Sequence, residues 1–493
     1  MTRSPTPAEL LLGDNDPAAG PTAAGPLRCT TRAMNKNSKK IPATLPFEIR
    51  ASAEHPLGMP AGRFLRDYWH KRPLLIRQAF PGFRSPVSPE DLAGLACEDG
   101  VLARLIAHDR ARDDWQVRSG PFAEEDFPDL PDHDWTLLVQ DVDKWDPDVR
   151  ALLEQFRFLP RWRIDDIMIS FAASGGSVGA HVDHYDVFLL QGMGQRRWQI
   201  DASVAMGRKA PPLDFRNDVE LKLLQRFKPT HDWVLEPGDM LYLPPLVPHH
   251  GVAENPCLTF SIGTRAPSSG ELIGDYLDTL IADADEAVRY HDEDLAEPAD
   301  PYEIDEAAMG RAISALNAIR MNDPDRLGEW FGRFITTYRA AGDIAAPPQA
   351  PDAAELAEAL ADGVVLYRHP WSRVAWRRAR KGALLFVSGH ALALPLRDAQ
   401  RLAALEEIDE NGYALLSERG REALLALVEL GHYAPSGGLD EEEDEPVDGN
   451  GAAAHSTLLE AGGDDTDGGE IDPDIDPEDL PADDEEEEDD EDA

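Results

Sequence analysis

Three side chains of this chain have the chemistry of metal ligands. His181 and Asp183 are separated by one residue, and His249 follows His181 by 68 positions. Two imidazoles and one carboxylate are the facial triad that holds non-haem iron(II) and leaves three coordination positions open. Side chains at i and i+2 of a β-strand share a face, so we expect His181 and Asp183 to reach one ion from one strand. His249 must come from a distant strand, and all three are predicted to be metal ligands and catalytic residues.

The sequence on both sides of these ligands predicts the mouth of a β-barrel. A β-rich run over 167–171 and a glycine-rich loop over 175–180 precede the first pair. Before His249, the turn residues Pro237-Gly238-Asp239 lead into the short apolar run 240–243. Three prolines then follow before the third ligand. This alternation of strands and turns is typical of a barrel that carries its site at one end.

The motifs around the ligands resemble a known family. The two halves together resemble the cupin fold of the JmjC class of 2-oxoglutarate oxygenases. Within that class they are similar to the bacterial ribosomal oxygenases, through the motifs at 179–188, 191–198 and 248–251 and the closing run 261–267. The resemblance extends from about residue 45 to about residue 435. It implies an α+β fold: a double-stranded β-helix (cupin/JmjC jelly roll), a helical dimerisation segment and a C-terminal winged-helix-like domain.

The same resemblance implies an activity. Members of this family use Fe(2+) as metal and 2-oxoglutarate as co-substrate. They hydroxylate, at Cβ, an arginine of a large-subunit ribosomal protein, the sixteenth in the usual series. We therefore expect a 2-oxoglutarate-dependent dioxygenase that acts as a protein hydroxylase, with a ribosomal protein as partner and a homodimer as its assembly.

Arg196 is the predicted anchor for the co-substrate. A dicarboxylate that chelates iron at one end leaves its other carboxylate to be held, and arginine can hold it with two parallel hydrogen bonds. In a strand, Arg196 and Arg197 face opposite ways, so only one of them points inward. The resemblance assigns this role to Arg196. Thr259 and Ser261 share the parity of His249 and could add hydroxyl contacts, although ordinary strand residues are the alternative.

The residues beside the ligands have weaker assignments. Tyr185 would share the ligand face and line a substrate channel. Asp186 would form a salt bridge with a basic substrate, or else have a structural role. His184 and His250 have the opposite parity to the neighbouring ligands and should face away from the metal. His231 falls in a stretch that looks like a loop.

Composition places the chain among soluble proteins of the cytoplasm. Its 493 residues are enough for roughly three domains. The three cysteines, Cys29, Cys97 and Cys257, have no C-x-x-C spacing, which fits a reducing compartment. No apolar run approaches the ~20 residues of a membrane span. We therefore expect no membrane association.

Changes in composition and periodicity divide the chain into five parts. We expect a disordered extension over 1–44, the oxygenase domain over 45–266, the dimerisation segment over 267–346, the winged-helix-like domain over 347–436 and an acidic tail over 437–493. Residues 440–493 contain 27 Asp and Glu and no Lys or Arg, within a net charge of −46. Such a tail solubilises the protein, or it attracts basic ribosomal proteins. Met34 is an alternative start to Met1.

Two helical stripes mark the dimerisation segment. One contains Tyr276 and Leu280, and the other contains Trp330 and Phe334, which we expect at the dimer interface.

The winged-helix-like domain is predicted to have strands over 372–376 and 383–387 and helices over 398–406 and 417–430. It also carries a local basic patch, made of Arg373, Arg377, Arg378, Arg380 and Lys381. Because nucleic-acid domains are usually basic overall and this chain is acidic, we favour an architectural or protein-docking role over nucleic-acid binding.

Three alternative functions remain open from sequence. The first is a JmjC oxygenase with another protein substrate, or one that demethylates. The second is a cupin isomerase without 2-oxoglutarate, which would have no need for Arg196. The third is an inactive protein that docks on ribosomes through its winged helix and tail.

Overall fold

The predicted ligands lie between two β-sheets. A computed structural model describes residues 45–210, 212–285, 289–297, 300–317, 323–337 and 344–435. The large sheet has nine strands in the order β1-β2-β10-β7-β12-β6-β5-β3-β4, and the small sheet has the order β11-β8-β9. The strands of both sheets are β1 Glu48–Arg50, β2 Leu74–Arg77, β3 Ala103–Asp109, β4 Asp114–Ser119, β5 Trp135–Val139, β6 Ile164–Ala172, β7 Val187–Met193, β8 Arg196–Ile200, β9 His231–Leu235, β10 Met240–Leu243, β11 His249–Ala253 and β12 Cys257–Thr264.

The two faces of the large sheet have different partners. On β6, Ile167 and Ile169 belong to the main hydrophobic core, together with residues of the flanking helices. The alternate residues of that strand point the other way, and Ser170 contacts a side chain of the small sheet. A second apolar cluster joins both sheets on this inner side. The flanking helices are α1 Ala61–Asp67, α2 Pro89–Leu95, α3 Val142–Trp145 and α4 Pro147–Ala151, with 3₁₀ turns at Glu124–Asp126, Leu152–Phe156 and Arg161–Arg163.

Among the described residues, three helices lie between the barrel and the carboxy-terminal region, and they correct one expectation. They are α5 Ser269–Ala282, α6 Glu306–Asn317 and α7 Pro324–Thr336. Trp330 and Phe334 of α7 are buried in this single chain and pack with Tyr276 and Leu280 of α5. The expectation that they form the dimer interface was therefore wrong, because an amphipathic stripe shows only that a face is buried and leaves its partner unspecified.

The carboxy-terminal region has its own core and two small sheets. The sheets have the orders β17-β13-β18 and β14-β15-β16. Its elements are α8 Ala353–Ala361, β13 Leu366–Arg368, β14 Val374–Arg378, β15 Ala383–Val387, β16 His390–Leu394, α9 Leu396–Ala404, β17 Glu407–Ile408, α10 Glu410–Ala414, α11 Glu418–Glu429 and β18 Tyr433–Pro435. The strand over 383–387 was predicted to the residue, and the strand and two helices expected at 372–376, 398–406 and 417–430 are present with ends shifted by one or two residues.

Most side chains of the basic patch form contacts with other residues of the same chain. Arg373 contacts β6, while Arg377 and Arg380 form ion pairs with Asp325 of α7. These contacts favour the architectural role over nucleic-acid binding.

Several expectations lie outside the described residues, among them the amino-terminal extension, the alternative start and the acidic tail. Within the described part of the chain, no helix is both long and apolar enough to cross a membrane.

Candidate metal centre

His181, Asp183 and His249 converge on one point. One ligand atom from each lies within 4.8 Å of the others. The Asp183 carboxylate is 3.9 Å from Nε2 of His181 and 3.5 Å from Nε2 of His249. Within the described residues no other group of three His, Cys, Asp or Glu side chains meets this criterion. Two imidazoles and one carboxylate at this spacing fit an iron(II) facial triad.

Hydrogen bonds select the ring nitrogens that face the metal position. Nδ1 of His181 lies 3.0 Å from the carbonyl oxygen of Gly179, and Nδ1 of His249 lies 2.9 Å from that of Val247. A carbonyl can only accept, so each Nδ1 carries the proton and each Nε2 keeps its lone pair for a metal. Burial, and then the proximity of His181, lower the pKa of His249 to about 4, so this ring is neutral at pH 7.

The backbone around the ligands differs from our expectation. His181 and His249 exchange two backbone hydrogen bonds of 3.0 Å, one in each direction. The chain then leaves this bridge, and the next strand begins only at Val187. Asp183 therefore lies on a loop, held by the 2.7 Å bond from the Leu246 amide to its carbonyl oxygen. Parity within a strand was not the reason that His181 and Asp183 meet.

Arg196 is buried in the inner space beside this centre. It is 2% exposed, and its Nη1 donates to Ser170 Oγ at 3.2 Å. Its Nε has no hydrogen-bond partner among the described residues, and none of their carboxylates pairs with it. Burial lowers the pKa of this guanidinium. A buried charge without a counter-ion is costly unless an anion arrives, so the arrangement fits the free carboxylate of 2-oxoglutarate.

Arg197 faces the opposite way, as strand alternation predicted. It is partly exposed and forms ion pairs with Asp232 and Glu254.

A glycine beside Arg196 leaves space for its guanidinium group. A Cβ added at Gly251 would lie 2.7 Å from the Trp198 ring and 2.9 Å from Nε of Arg196. Thr259 pairs with Ser170 across the strands and donates from Oγ1 to Gln191. Ser261 is also buried, two residues further along β12. Both hydroxyls thus lie on β12, and Ser170, on the neighbouring strand β6, is a contact of Arg196 that sequence reasoning missed.

An acidic residue that sequence reasoning also missed, Asp166, lies on the inner face of β6. Asp166 and Ser170 are four residues apart on β6, so their side chains point to the same face of the strand. A Cβ added at Gly263 would lie 3.1 Å from Oδ1 of Asp166. Negative charge from Asp183, then burial, then the charges of Asp166 and Asp165 raise the pKa of Tyr185. We refer to Asp166, Asp183 and Tyr185 as the acidic mouth, because both carboxylates act electrostatically on the same tyrosine. Strand parity with Ser170 was the signal that could have identified Asp166.

The structure favours a structural role for Asp186. Its carboxylate is fully buried, accepts from Tyr242 Oη at 2.5 Å, and lies 3.2 Å from Nδ1 of His70. This carboxylate therefore interacts with side chains of the protein itself rather than with a substrate.

The predictions for two other histidines can be compared with the structure. His184 is exposed, as predicted, but it lies in the loop that follows His181, so strand parity is not the reason. His231 lies in β9 and packs between Phe47 and Trp233, so the expectation of a loop was wrong.

Comparison with known proteins agrees with this geometry. The model of the JmjC domain matches residues 151–272, and the model of the ROXA-like winged helix matches residues 318–434. The chain is 37% identical over 385 residues to ribosomal protein uL16 3-hydroxylase of Escherichia coli (strain K12), covering 77% of this chain and 99% of that protein. The chain belongs to the JmjC ribosomal oxygenase family. This membership confirms the predicted fold class and class of enzyme.

Two further relatives extend the comparison of this ribosomal oxygenase. A probable ribosomal oxygenase of Haemophilus influenzae is 44% identical over 214 residues, which cover 43% of this chain and half of that protein. The structure of YcfD, a ribosomal oxygenase from Escherichia coli in complex with cobalt and 2-oxoglutarate, has a TM-score of 0.66 and 34% identity, covering 77% of this chain and 98% of that one. With the His-Asp-His triad, this complex of a relative with a divalent metal and 2-oxoglutarate confirms the prediction of Fe(2+) as cofactor and 2-oxoglutarate as co-substrate.

Proposed function

We propose that this protein hydroxylates an arginine side chain of a large-subunit ribosomal protein at Cβ. The observation that carries the proposal is a triad whose Nε2 atoms are free to bind a metal, in the same domain as a buried arginine and an acidic mouth. The identity to the Escherichia coli uL16 3-hydroxylase over nearly all of that protein supports the same substrate class. Because ribosomal proteins are found in the cytoplasm, we propose that the enzyme is also located there.

Each group of side chains has a distinct role in the proposed reaction. His181, Asp183 and His249 hold the iron, which with 2-oxoglutarate and O₂ supplies the oxidation of an unactivated C–H bond. Arg196 binds the distal carboxylate of 2-oxoglutarate and thereby orients the co-substrate, with Ser170 holding the guanidinium in place. Thr259 and Ser261 line the same pocket. Since these groups are fixed before substrate enters, they reduce the entropic cost of the reactive arrangement.

The acidic mouth is suited to bind a cationic side chain of the substrate. Asp183 and Asp166 both act electrostatically on Tyr185, and Asp166 and Tyr185 offer a carboxylate and an aromatic ring to a guanidinium group. Asp186, the other acidic candidate, is engaged by Tyr242 and His70 and takes no part in this contact.

We also propose that the assembly is a homodimer formed through the segment 267–346. The helices α5 and α6 each expose an apolar stripe: Ile273, Leu277 and Ile281 on α5, and Met309, Ile313 and Leu316 on α6. Stripes of this kind at helical spacing are unusual on a monomer and fit a self-complementary contact with a second copy. The boundaries of the five parts of the chain remain as proposed from sequence.

The experiment that tests the function incubates the enzyme with iron(II), 2-oxoglutarate and peptides of the uL16 protein. We expect succinate release and a peptide mass increased by one oxygen. Asp183→Ala, which loses one ligand of three, should release no succinate while remaining folded. Loss of a methyl group from a methylated peptide, or hydroxylation of a different residue, would instead support the JmjC alternatives. An absence of any turnover in the wild type would favour the docking protein.

A further inference from the structure

The carboxy-terminal region contacts the first residues of the strand that lines the acidic mouth. Arg373, directly before β14, donates from Nη2 to the carbonyl oxygen of Asp165 at 2.9 Å and to the Asp165 carboxylate. Its Nη1 donates to the carbonyl oxygen of Ile164 at 3.4 Å. The side chain is 11% exposed. One buried guanidinium thus holds two consecutive peptide groups and a carboxylate at the start of β6.

The helical turn α3 supports the same residues from a second side. The Asp141 amide donates to Asp166 Oδ2 at 3.2 Å, and Asp143 Oδ1 accepts from the Ile167 amide at 2.7 Å. At the other end of this turn, Trp145 meets Trp371 edge to face, with ring centroids 6.1 Å apart. The carboxy-terminal region therefore braces the start of β6 directly through Arg373 and indirectly through α3.

The carboxylates near the start of β6 differ in whether a cationic side chain of the protein pairs with them. Asp143 pairs with Lys144, and Asp165 pairs with Arg373. Asp166 forms no ion pair with a cationic side chain of the described residues. Asp143 and Asp165 are thereby satisfied, whereas burial and then the charges of Asp141, Asp165 and Asp143 raise the pKa of Asp166 well above its ordinary value, so a cation from outside would favour its ionised form. Without Arg373, the Asp165 carboxylate would lose its partner and the start of β6 would lose three hydrogen bonds.

We propose that Arg373 is a positioning residue for substrate selection, through which the winged-helix region holds Asp166 in the orientation that receives the substrate's cationic side chain. This inference rests on the proposed function above. The co-substrate pocket lies four residues further along β6 at Ser170, roughly 13 Å away along the strand. Arg373 should therefore affect substrate binding and leave the binding of metal and 2-oxoglutarate unchanged.

The test compares Arg373→Ala and Arg373→Lys with Arg377→Ala in the full-length enzyme. Arg377 is a control from the same region, because it joins β14 to the Pro324 carbonyl and to Asp325 and, among the described residues, forms no hydrogen bond or ion pair with β6. For Arg373→Ala we expect the peptide KM to rise by about tenfold or more, the equivalent of about 1.4 kcal/mol or more. Succinate release without peptide and the KM for 2-oxoglutarate should stay at wild-type values. Lysine, which keeps the charge but loses the forked geometry, should recover part of the loss.

Hydrogen exchange supplies a readout that does not depend on the substrate. The amides of 164–168 should exchange faster in Arg373→Ala than in Arg377→Ala. Equal peptide KM values in the two alanine variants would overturn the proposal, as would a parallel fall in peptide-independent succinate release. If the wild type hydroxylates no uL16 peptide, the proposed substrate is wrong, and unchanged exchange at 164–168 would then overturn the positioning role separately.

Discussion

At the scale of single residues, the buried guanidinium of Arg196 is the group that depends most on a ligand. Its one protein hydrogen bond goes to a neutral hydroxyl, and its Nε has no acceptor among the described residues. A carboxylate in this pocket would form a charge-assisted pair in a poorly solvated space. Breaking such a buried pair typically costs ~3–5 kcal/mol, equivalent to a hundredfold or more in affinity.

We therefore predict that Arg196→Ala weakens 2-oxoglutarate binding by about a hundredfold or more, with iron affinity nearly intact. Arg196→Lys should recover only part of the binding. Arg197→Ala is the matched control, because its guanidinium is directed outward to Asp232 and Glu254. The measurement is an anaerobic titration of 2-oxoglutarate into the iron-loaded variants. Loss of binding in Arg197→Ala, with Arg196→Ala unaffected, would show that the wrong arginine is assigned.

Gly251 gives a second prediction at this scale. A methyl group at this position would displace Trp198 or Arg196, so Gly251→Ala should weaken 2-oxoglutarate binding by roughly tenfold. Gly274→Ala on α5, where an added Cβ meets nothing within 4 Å, should bind the co-substrate normally. The same titration distinguishes them. Wild-type affinity in Gly251→Ala would mean that the pocket can relax around the added methyl group.

At the scale of elements, sequence reasoning succeeded where local periodicity determines the structure. The alternation of Arg196 and Arg197 was predictable because both lie in a regular strand, β8. The parity argument for His181 and Asp183 was wrong because that segment has an isolated bridge followed by a loop. Asp166 was missed because an Asp-Asp pair looks like a solvated surface pair until its strand neighbours are known. Periodicity identifies a buried face, but tertiary packing decides what covers it, as the contact of Trp330 with Tyr276 shows.

The winged-helix region carries a prediction on pH. Burial, and then the neighbouring His390 and His369, lower the pKa of His432 to about 4. In the unfolded chain this ring takes up a proton below about pH 6.5, whereas in the folded state it does so only near pH 4. Between these values the unfolded state binds more protons, so the contribution of His432 to stability is present above pH 6.5 and is lost as the pH falls.

We expect the unfolding free energy to decrease by up to about 1.4 kcal/mol per pH unit from this residue between pH 6.5 and 4. His432→Gln should show a shallower pH dependence in urea unfolding at pH 7, 6 and 5. Identical slopes for the variant and the wild type would exclude His432 as a source of the acid sensitivity.

At the scale of the whole molecule, the exposed stripes on α5 and α6 predict how two copies associate. Ile273 and Ile281 are 59% and 68% exposed and lie eight residues apart on one face of α5. In a symmetric interface each substitution occurs twice, so its cost is doubled. Burying one isoleucine stabilises by about 1.5–3 kcal/mol.

The double variant Ile273→Asp/Ile281→Asp should therefore weaken the dimer by a hundredfold or more and shift the mass measured by light scattering to that of a monomer. Leu415→Asp, at an exposed apolar site outside the segment, is the control and should remain dimeric. A dimeric mass in the double variant would place the interface on another surface.

The reciprocal backbone bridge between His181 and His249 has a consequence for how the enzyme acquires its iron. The two imidazoles are joined by ladder hydrogen bonds and oriented by the carbonyls of Gly179 and Val247, all of which the polypeptide forms by itself. Because these contacts involve no metal ion, we expect a chelator to abolish turnover without unfolding the enzyme, in contrast to small zinc domains that fold only around their ion.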